Sequence, residues 1–259
     1  MSAQNNNIVG LIPAAGKGSR LAPFPCPKEL FPVGYQDYMV KGVNQRRPKV
    51  ISQYLIEHII QAGASRIAII VSEGKGDIMK YYGDGSRFGT DIIYLYQEEP
   101  RGMPEALALA QNWISDATVI FGMPDTIIEP AFAFDDLLSY HRKYNADLTL
   151  GLFKTDTPSK FGLVATDEDD NVLYTIDKPA TTELTHMWGC ACWSPAFTNL
   201  ITEHIASNKN NNQENVLGDV FNLAIERKMI VKGLELTDGQ YIDIGTSDEL
   251  DMALKKFHL

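Results

Sequence analysis

A chain of 259 residues, 44% hydrophobic and 22% charged, has an ordinary globular composition and can bury about three quarters of its unfolded surface without disulfide staples. Its formal net charge of −10 excludes a general nucleic-acid binder, which needs a basic surface, yet permits a small phosphorylated ligand held by local cations and a divalent metal. No run of about 18 apolar residues predicts a membrane span, and the polar start does not resemble a secretion signal, so a cytoplasmic protein is expected.

Residues 8–13 form an apolar, β-rich run that empties into a glycine turn, Ala15-Gly16-Lys17-Gly18-Ser19-Arg20-Leu21, followed by Pro23, Pro25 and Pro27-Lys28-Glu29. Gly16 and Gly18 let the main chain approach an anion and aim N–H groups at it. Arg20 and Lys28 add full positive charges. An isolated Gly-x-Gly can simply join strand to helix; the two cations and the prolines at fixed offsets point to a phosphate cradle. A P-loop would need glycine at position 11 and Ser or Thr at 18, where Leu11 and Gly18 stand. A dinucleotide fingerprint starting at Gly16 would need Gly or Ala in place of Leu21.

Further along, residues 50–61 carry apolar positions at helical spacing and residues 67–71 read as a buried strand. The alternation continues with a strand over 92–96, a helix over 104–114, a strand over 118–121 and a helix over 132–144. It predicts a three-layer, Rossmann-like α/β fold, with a mixed, mostly parallel sheet covered by helices on both faces. From 148 onward strands dominate, over 148–153, 162–166, 172–176 and 187–193. Helices over 195–205 and 214–227, a strand near Ile230 and a last helix from Ser247 follow. No linker separates independent domains; the expectation is one catalytic domain, with residues 1–147 as nucleotide half and 148–259 as a smaller, strand-rich sugar half, leaving a cleft between. Residues 1–7 and 207–213 read as soft polar segments. The three cysteines cannot all pair internally; Cys190 and Cys192 share one strand face, which suits core packing rather than metal ligation.

With these motifs in hand, the chain resembles the sugar-1-phosphate nucleotidyltransferases, the nucleotide-sugar pyrophosphorylase family, over nearly its whole length. The resemblance is carried by Gly16 to Leu21, Pro27-Lys28 and Pro32. Pro27-Lys28-Glu29-Leu30 and Met123-Pro124-Asp125 are similar to glucose-1-phosphate uridylyltransferases, and Phe161-Gly162 and Tyr241-Ile-Asp243-Ile-Gly245-Thr246 also suit thymidylyltransferases. The resemblance implies an enzyme that converts a nucleoside triphosphate and a sugar 1-phosphate into a nucleotide diphosphosugar and pyrophosphate, with UTP or dTTP and glucose 1-phosphate favoured, and a homo-oligomer.

It also implies roles. The turn from Ala15 through Gly16, Gly18 and Ser19 holds the triphosphate, Arg20 grips the departing pyrophosphate, and Lys28 neutralises the α-phosphate and the incoming sugar phosphate. Gln97 and Gly102 read a pyrimidine edge by side-chain amide and main chain; an amide offers donor and acceptor together. Asp125 and Asp243 are the magnesium carboxylates, and Mg²⁺ accepts one or two such ligands with water and phosphate completing its octahedron. Asp248 reads as a helix cap. Phe161 and Gly162 shape the sugar pocket, with Trp188 and Trp193 as candidate walls. Asp177-Lys178-Pro179 stands where the family has Glu-Lys-Pro, binding sugar hydroxyls and phosphate, with an acid one methylene shorter.

Residues 34–48 are longer than the family's usual link into the next helix, which suits a lid or an oligomer contact. No hexapeptide repeat suggests a fused β-helix. Other readings on the same scaffold are a cytidylyltransferase for a small alcohol phosphate, a glycosyltransferase, and a non-catalytic nucleotide-sugar-binding paralogue. A glycosyltransferase would usually show Asp-x-Asp where Met123-Pro124-Asp125-Thr126 stands.

Overall fold

The computed structural model describes residues 7–99, 101–208 and 215–257. Most of the two soft polar segments, residues 1–6 and 209–213, lies outside the described residues.

In chain order the strands are β1 (Ile8–Pro13), β2 (Pro32–Val40), β3 (Val43–Val50), β4 (Arg66–Val71), β5 (Asp91–Tyr96), β6 (Thr118–Gly122), β7 (Thr126–Glu129), β8 (Leu148–Lys154), β9 (Gly162–Thr166), β10 (Val172–Asp177), β11 (His186–Trp193), β12 (Val231–Glu235) and β13 (Gln240–Asp243). The helices are α1 (Ile51–Gln61), α2 (Gly76–Tyr82), α3 (Met103–Ala108), α4 (Gln111–Ile114), α5 (Ala133–Tyr144), α6 (Pro195–Ser207), α7 (Leu217–Glu226) and α8 (Ser247–Phe257). None is long and apolar enough to cross a membrane among the described residues.

The first half makes a parallel sheet, with β1 between β4 and β6 and β5 beyond β4. The later strands extend the same sheet: β11 lies antiparallel to β6, β8 and β9, with β10 beyond β9 and β12 parallel to β8. Nine strands therefore form one mixed sheet.

Successive side chains of a strand point to opposite faces, and here both faces are buried. Ile8 and Ile12 of β1 pack with Leu55 and Ile59 of α1 and Phe134 and Leu137 of α5. Val9 and Leu11 join Phe121, Trp193, Phe197 and Phe221 on the other face, under α3, α6 and α7. The expected three layers follow from this alternation. Cys190 and Cys192 are fully buried on the first face, as their spacing predicts.

One local expectation is corrected and two features are added. The helix over 104–114 is two short helices, α3 and α4, separated at residues 109–110. Residues 34–48 are the body of a β-hairpin, β2 against β3, rooted by the Tyr54 hydroxyl donating to the Val33 carbonyl at 2.7 Å. A further ribbon, β7 antiparallel to β13, escaped sequence reading altogether. It packs Ile127 and Ile244 against Val33, Ile51 and Ala253 of α8 in a small third core.

Gly189 couples this ribbon to the main sheet. A methyl there would meet Tyr241 Cδ2 at 2.5 Å and Phe153 Cε2 at 2.8 Å. Gly189→Ala is therefore expected to destabilise the protein by about 1–3 kcal/mol, read as a lowered urea midpoint; an unchanged midpoint would show that β13 shifts freely.

Candidate active site

The functional candidates gather at the carboxyl ends of the parallel strands, where open α/β sheets bind ligands. The glycine turn leaves β1 with Ala14 N–H donating to Ile70 O at 2.7 Å, and Ser72 Oγ donates to Ala15 O at 2.8 Å. Gly18 has φ +64°, a left-handed conformation that suits glycine, and turns the chain into a one-turn helix over Ser19–Leu21. Ser19 and Arg20 are exposed there. A second single turn, Lys28–Leu30, aims Lys28 back across Gly18, whose Cα faces the lysine stem.

Ala15, Gly16, Lys28, Gln97, Gly102 and Asp125 line one cleft of about 360 Å³. Lys17 and Met123 line it too. Gln97 is buried just past β5, with its N–H donating to Val71 O at 2.8 Å. Gly102 has φ +133° and bridges to Asn215, whose carbonyl oxygen would lie 2.6 Å from any added Cβ. Close approach of two chain segments thus demands glycine at 102. The phosphate turn and the two expected base-reading positions face the same space.

The two aspartates meet through the ribbon. Asp125 sits in the turn between β6 and β7, where Thr126 Oγ1 donates to Met123 O at 2.8 Å. Asp243 ends β13 opposite Thr126, and Ile244 N–H donates to Asp125 O at 3.2 Å. Each carboxylate has a cation: Lys28 Nζ pairs directly with Asp125, and Arg20 flanks Asp243. A methyl on Gly245 would lie 3.0 Å from Asp243 Oδ2 and 3.1 Å from Arg20 Nη2.

Burial pushes the Asp243 carboxyl up to about 6, helped by the charges of Asp125 and Glu249, while Lys28 and Arg20 pull it down. Burial depresses Lys28, but the carboxylates of Asp125, Glu29 and Asp243 outweigh it and leave the amine above its ordinary value. Lys28 is therefore a full cation at neutral pH.

Asp243 Oδ1 is buried without a hydrogen-bond partner. Such an orphan acceptor beside a second carboxylate fits a small, oxygen-seeking divalent cation. No group of three or more His, Cys, Asp or Glu that could hold a metal occurs among the described residues, so water and ligand oxygens would have to complete the shell.

The expected sugar segments stand at the same sheet edge. In the register Asp177 pairs with Gly162, and Lys178, at φ +43°, donates its N–H to Phe161 O at 3.0 Å. The Asp177 and Lys178 side chains pair with each other at 3.5 Å and remain largely exposed, making no contact with the aspartate pair. Phe161 makes the link instead: its ring stacks edge-on to Tyr241 at 5.9 Å, and Tyr241 Oη lies 3.9 Å from Met123 Sδ. The Trp188 indole covers Gly162. Trp193 is not a wall; it is fully buried against Phe121 and Phe197, with its N–H on Thr198 Oγ1 at 3.0 Å.

Sequence reasoning gave no site role to Lys17, Met123 and Tyr241, although each stands inside one of its motifs. Lys17, between the two glycines, offered a visible signal; the others become neighbours of the site only through the ribbon.

The sequence profile of the nucleotidyl transferase family matches residues 9–258. A low-salt glycan biosynthesis nucleotidyltransferase, Agl11, of Haloferax volcanii is 28% identical over 173 residues, 66% of this chain and 44% of that protein. A mannose-1-phosphate guanylyltransferase of Mycobacterium tuberculosis is 28% identical over 175 residues, 67% of this chain and 45% of that one. The chain thus spans less than half the length of these curated relatives. Among solved structures, a candidate glucose-1-phosphate thymidylyltransferase of Bacillus anthracis, in complex with sucrose, superposes with a TM-score of 0.82. It is 21% identical, covering 96% of this chain and 95% of its own, and supports the fold.

The raised Asp243 value carries a stability signature. The folded state holds this proton more tightly than the unfolded chain, so its contribution is full below about pH 4 and is lost as pH rises through about 6. Asp243→Asn is expected to be the more stable protein above about pH 6, by on the order of 1–3 kcal/mol, with the difference gone near pH 4. Urea unfolding of both proteins across that range, without divalent cations, checks it; a pH-independent difference would contradict the raised value.

Proposed function

This chain belongs to the nucleotidyl transferase family, and from that premise we propose that it joins a nucleoside triphosphate to a sugar 1-phosphate, releasing pyrophosphate. One observation carries the reading: the glycine turn, Lys28, Arg20, Asp125 and Asp243, scattered from one end of the chain to the other, converge at one sheet edge.

The chemistry needs no covalent intermediate on the protein. An oxygen of the sugar phosphate, already anionic, bonds to the α-phosphorus as the bond to the bridging oxygen breaks and pyrophosphate leaves with the electron pair. No protein group has to move a proton, so positioning and charge stabilisation carry the step. Main-chain N–H groups of the turn over Ala15, Gly16, Gly18 and Ser19 cradle the triphosphate. Lys28 exchanges part of its contact with Asp125 for phosphate oxygens, and Arg20 meets charge developing on the leaving group. Asp125 and Asp243 would hold Mg²⁺, which supplies further neutralisation of the reacting phosphates when bound.

The buried Gln97 amide and the Gly102 main chain favour a uracil or thymine base, hence UTP or dTTP. Glucose 1-phosphate is the favoured acceptor, with Phe161, Gly162, Asp177 and Lys178 as the sugar and phosphate contacts; the exposed Lys178 amine has to swing inward from Asp177 to reach it. The reading includes a cytoplasmic setting, where nucleoside triphosphates are available, and a homo-oligomer.

Five nucleoside triphosphates assayed against a panel of sugar 1-phosphates, read by pyrophosphate release, test this directly. UTP or dTTP with glucose 1-phosphate is expected to be the strongest combination. Silence across the whole matrix with the protein folded would end the proposal in favour of a non-catalytic ligand-binding role. In the active combination, Lys28→Ala should lower kcat by about a hundred- to a thousand-fold; Asp125→Asn and Asp243→Asn should raise the magnesium concentration required, read as a shifted activation curve.

A further inference from the structure

Lys28 is one residue from the most buried acid in the described chain. Glu29 is 2% exposed and Lys75, which follows β4, is 6% exposed. Lys75 Nζ donates to both Glu29 oxygens, at 2.8 and 2.7 Å. Burial raises the Glu29 carboxyl and Lys75 pulls it back down. The Glu29 main chain is pinned as well: its carbonyl accepts from Ser52 Oγ at 2.5 Å, and that hydroxyl lies 2.5 Å from Tyr82 Oη. Within one short turn, Lys28 therefore reaches forward to Asp125 while Glu29 is locked backward into the core.

The loop that supplies Lys75 touches the other half of the phosphate site too. Ser72 Oγ holds the Ala15 carbonyl at 2.8 Å. Between Ser72 and Lys75 the chain closes a turn, Lys75 N–H donating to Ser72 O at 3.2 Å, before α2 begins. One four-residue loop thus grips both the glycine turn and the turn bearing Lys28.

We propose that Ser72 to Lys75 is a positioning clamp that sets the distance between the main-chain phosphate cradle and the Lys28 amine, with Glu29 and Lys75 as its positioning pair. The proposal rests on reading Lys28 as a phosphate-binding group. A freely hinged single turn would let Lys28 follow Asp125 alone. Two directional bonds from a buried ammonium leave Glu29 one position, so Lys28 inherits one as well. Glu29 edges the cleft beside Lys28 and Lys75 stands behind it, its amine spent on the Glu29 carboxylate, so the pair acts through Lys28.

The test combines Lys75→Met, Glu29→Gln and the double neutral variant E29Q/K75M, each with and without Lys28→Ala. Readouts are kcat and KM by pyrophosphate release, UTP affinity by titration calorimetry, and the urea unfolding midpoint. Lys75→Met is expected to lower kcat about ten- to a hundred-fold, with KM changed less than about threefold. Lys75→Met should then cost less than about threefold more in the Lys28→Ala background, where the group it positions is already gone. E29Q/K75M removes the stranded charge, so its midpoint should recover toward the parent while kcat does not. Multiplicative losses from Lys75→Met and Lys28→Ala, or kcat recovering together with the midpoint, would make the pair merely structural and overturn the clamp. If Lys28→Ala changes neither kcat nor UTP affinity in the parent, the role of Lys28 itself falls, and the clamp with it.

Discussion

Two partly buried carboxylates held close together are the constraint around which this molecule is arranged. Asp125 and Asp243 repel each other, and burial makes Asp243 costlier still to ionise. The surrounding structure compensates by delivering a cation to each: Lys28 from a proline-bounded turn onto Asp125, and Arg20 from the end of the glycine turn beside Asp243. Remove the ribbon of β7 and β13 and the aspartates separate; remove the turns and they stand uncompensated. The residual strain, seen in the orphaned Asp243 oxygen, is a demand for positive charge that a divalent cation can satisfy.

Compensation of this kind works only if the cations cannot drift. A flexible lysine on a surface turn would lose most of its effect to solvent and side-chain entropy. Here rigidity comes from a second ion pair, Glu29 with Lys75, that stays inside the core. Buried pairs contribute little net stability compared with apolar packing, yet breaking one strands a charge at a cost of about 3–5 kcal/mol. That asymmetry is useful: misplacing the Lys28 turn is penalised heavily, although the pair adds little to overall stability.

The parts of this arrangement that were legible in the sequence are those with local signals. Strand and helix alternation revealed the sheet because buried parallel strands and amphipathic helices repeat at different periods. Gly16, Gly18, Arg20 and Lys28 announced an anion site by type and spacing. The ribbon stayed hidden because β7 and β13 are four residues each, too short for a periodic pattern, and pair across more than a hundred intervening residues. Asp125 and Asp243 could therefore be picked out only by resemblance. Glu29 and Lys75 drew no reading as a pair, since nothing local marks an acid as buried. Trp193 was ambiguous for the opposite reason: an aromatic on a strand packs equally well in a core or a pocket, and only its neighbours decide.

Under the function proposed, the electrostatics also account for how so acidic a protein would serve an anionic ligand. With the pairs Glu29–Lys75 and Glu249–Lys160 cancelling, Lys17, Arg20 and Lys28 stand against Asp125 and Asp243, three cations to two carboxylates. A triphosphate bearing roughly four negative charges, bound with one divalent cation, would bring the sum close to neutral. Lys28 satisfies Asp125 directly, so the charges lining the cleft are already close to balanced. Under the function proposed, phosphate oxygens would draw Lys28 from Asp125, and Asp125 with Asp243 would then be the pair to hold a divalent cation.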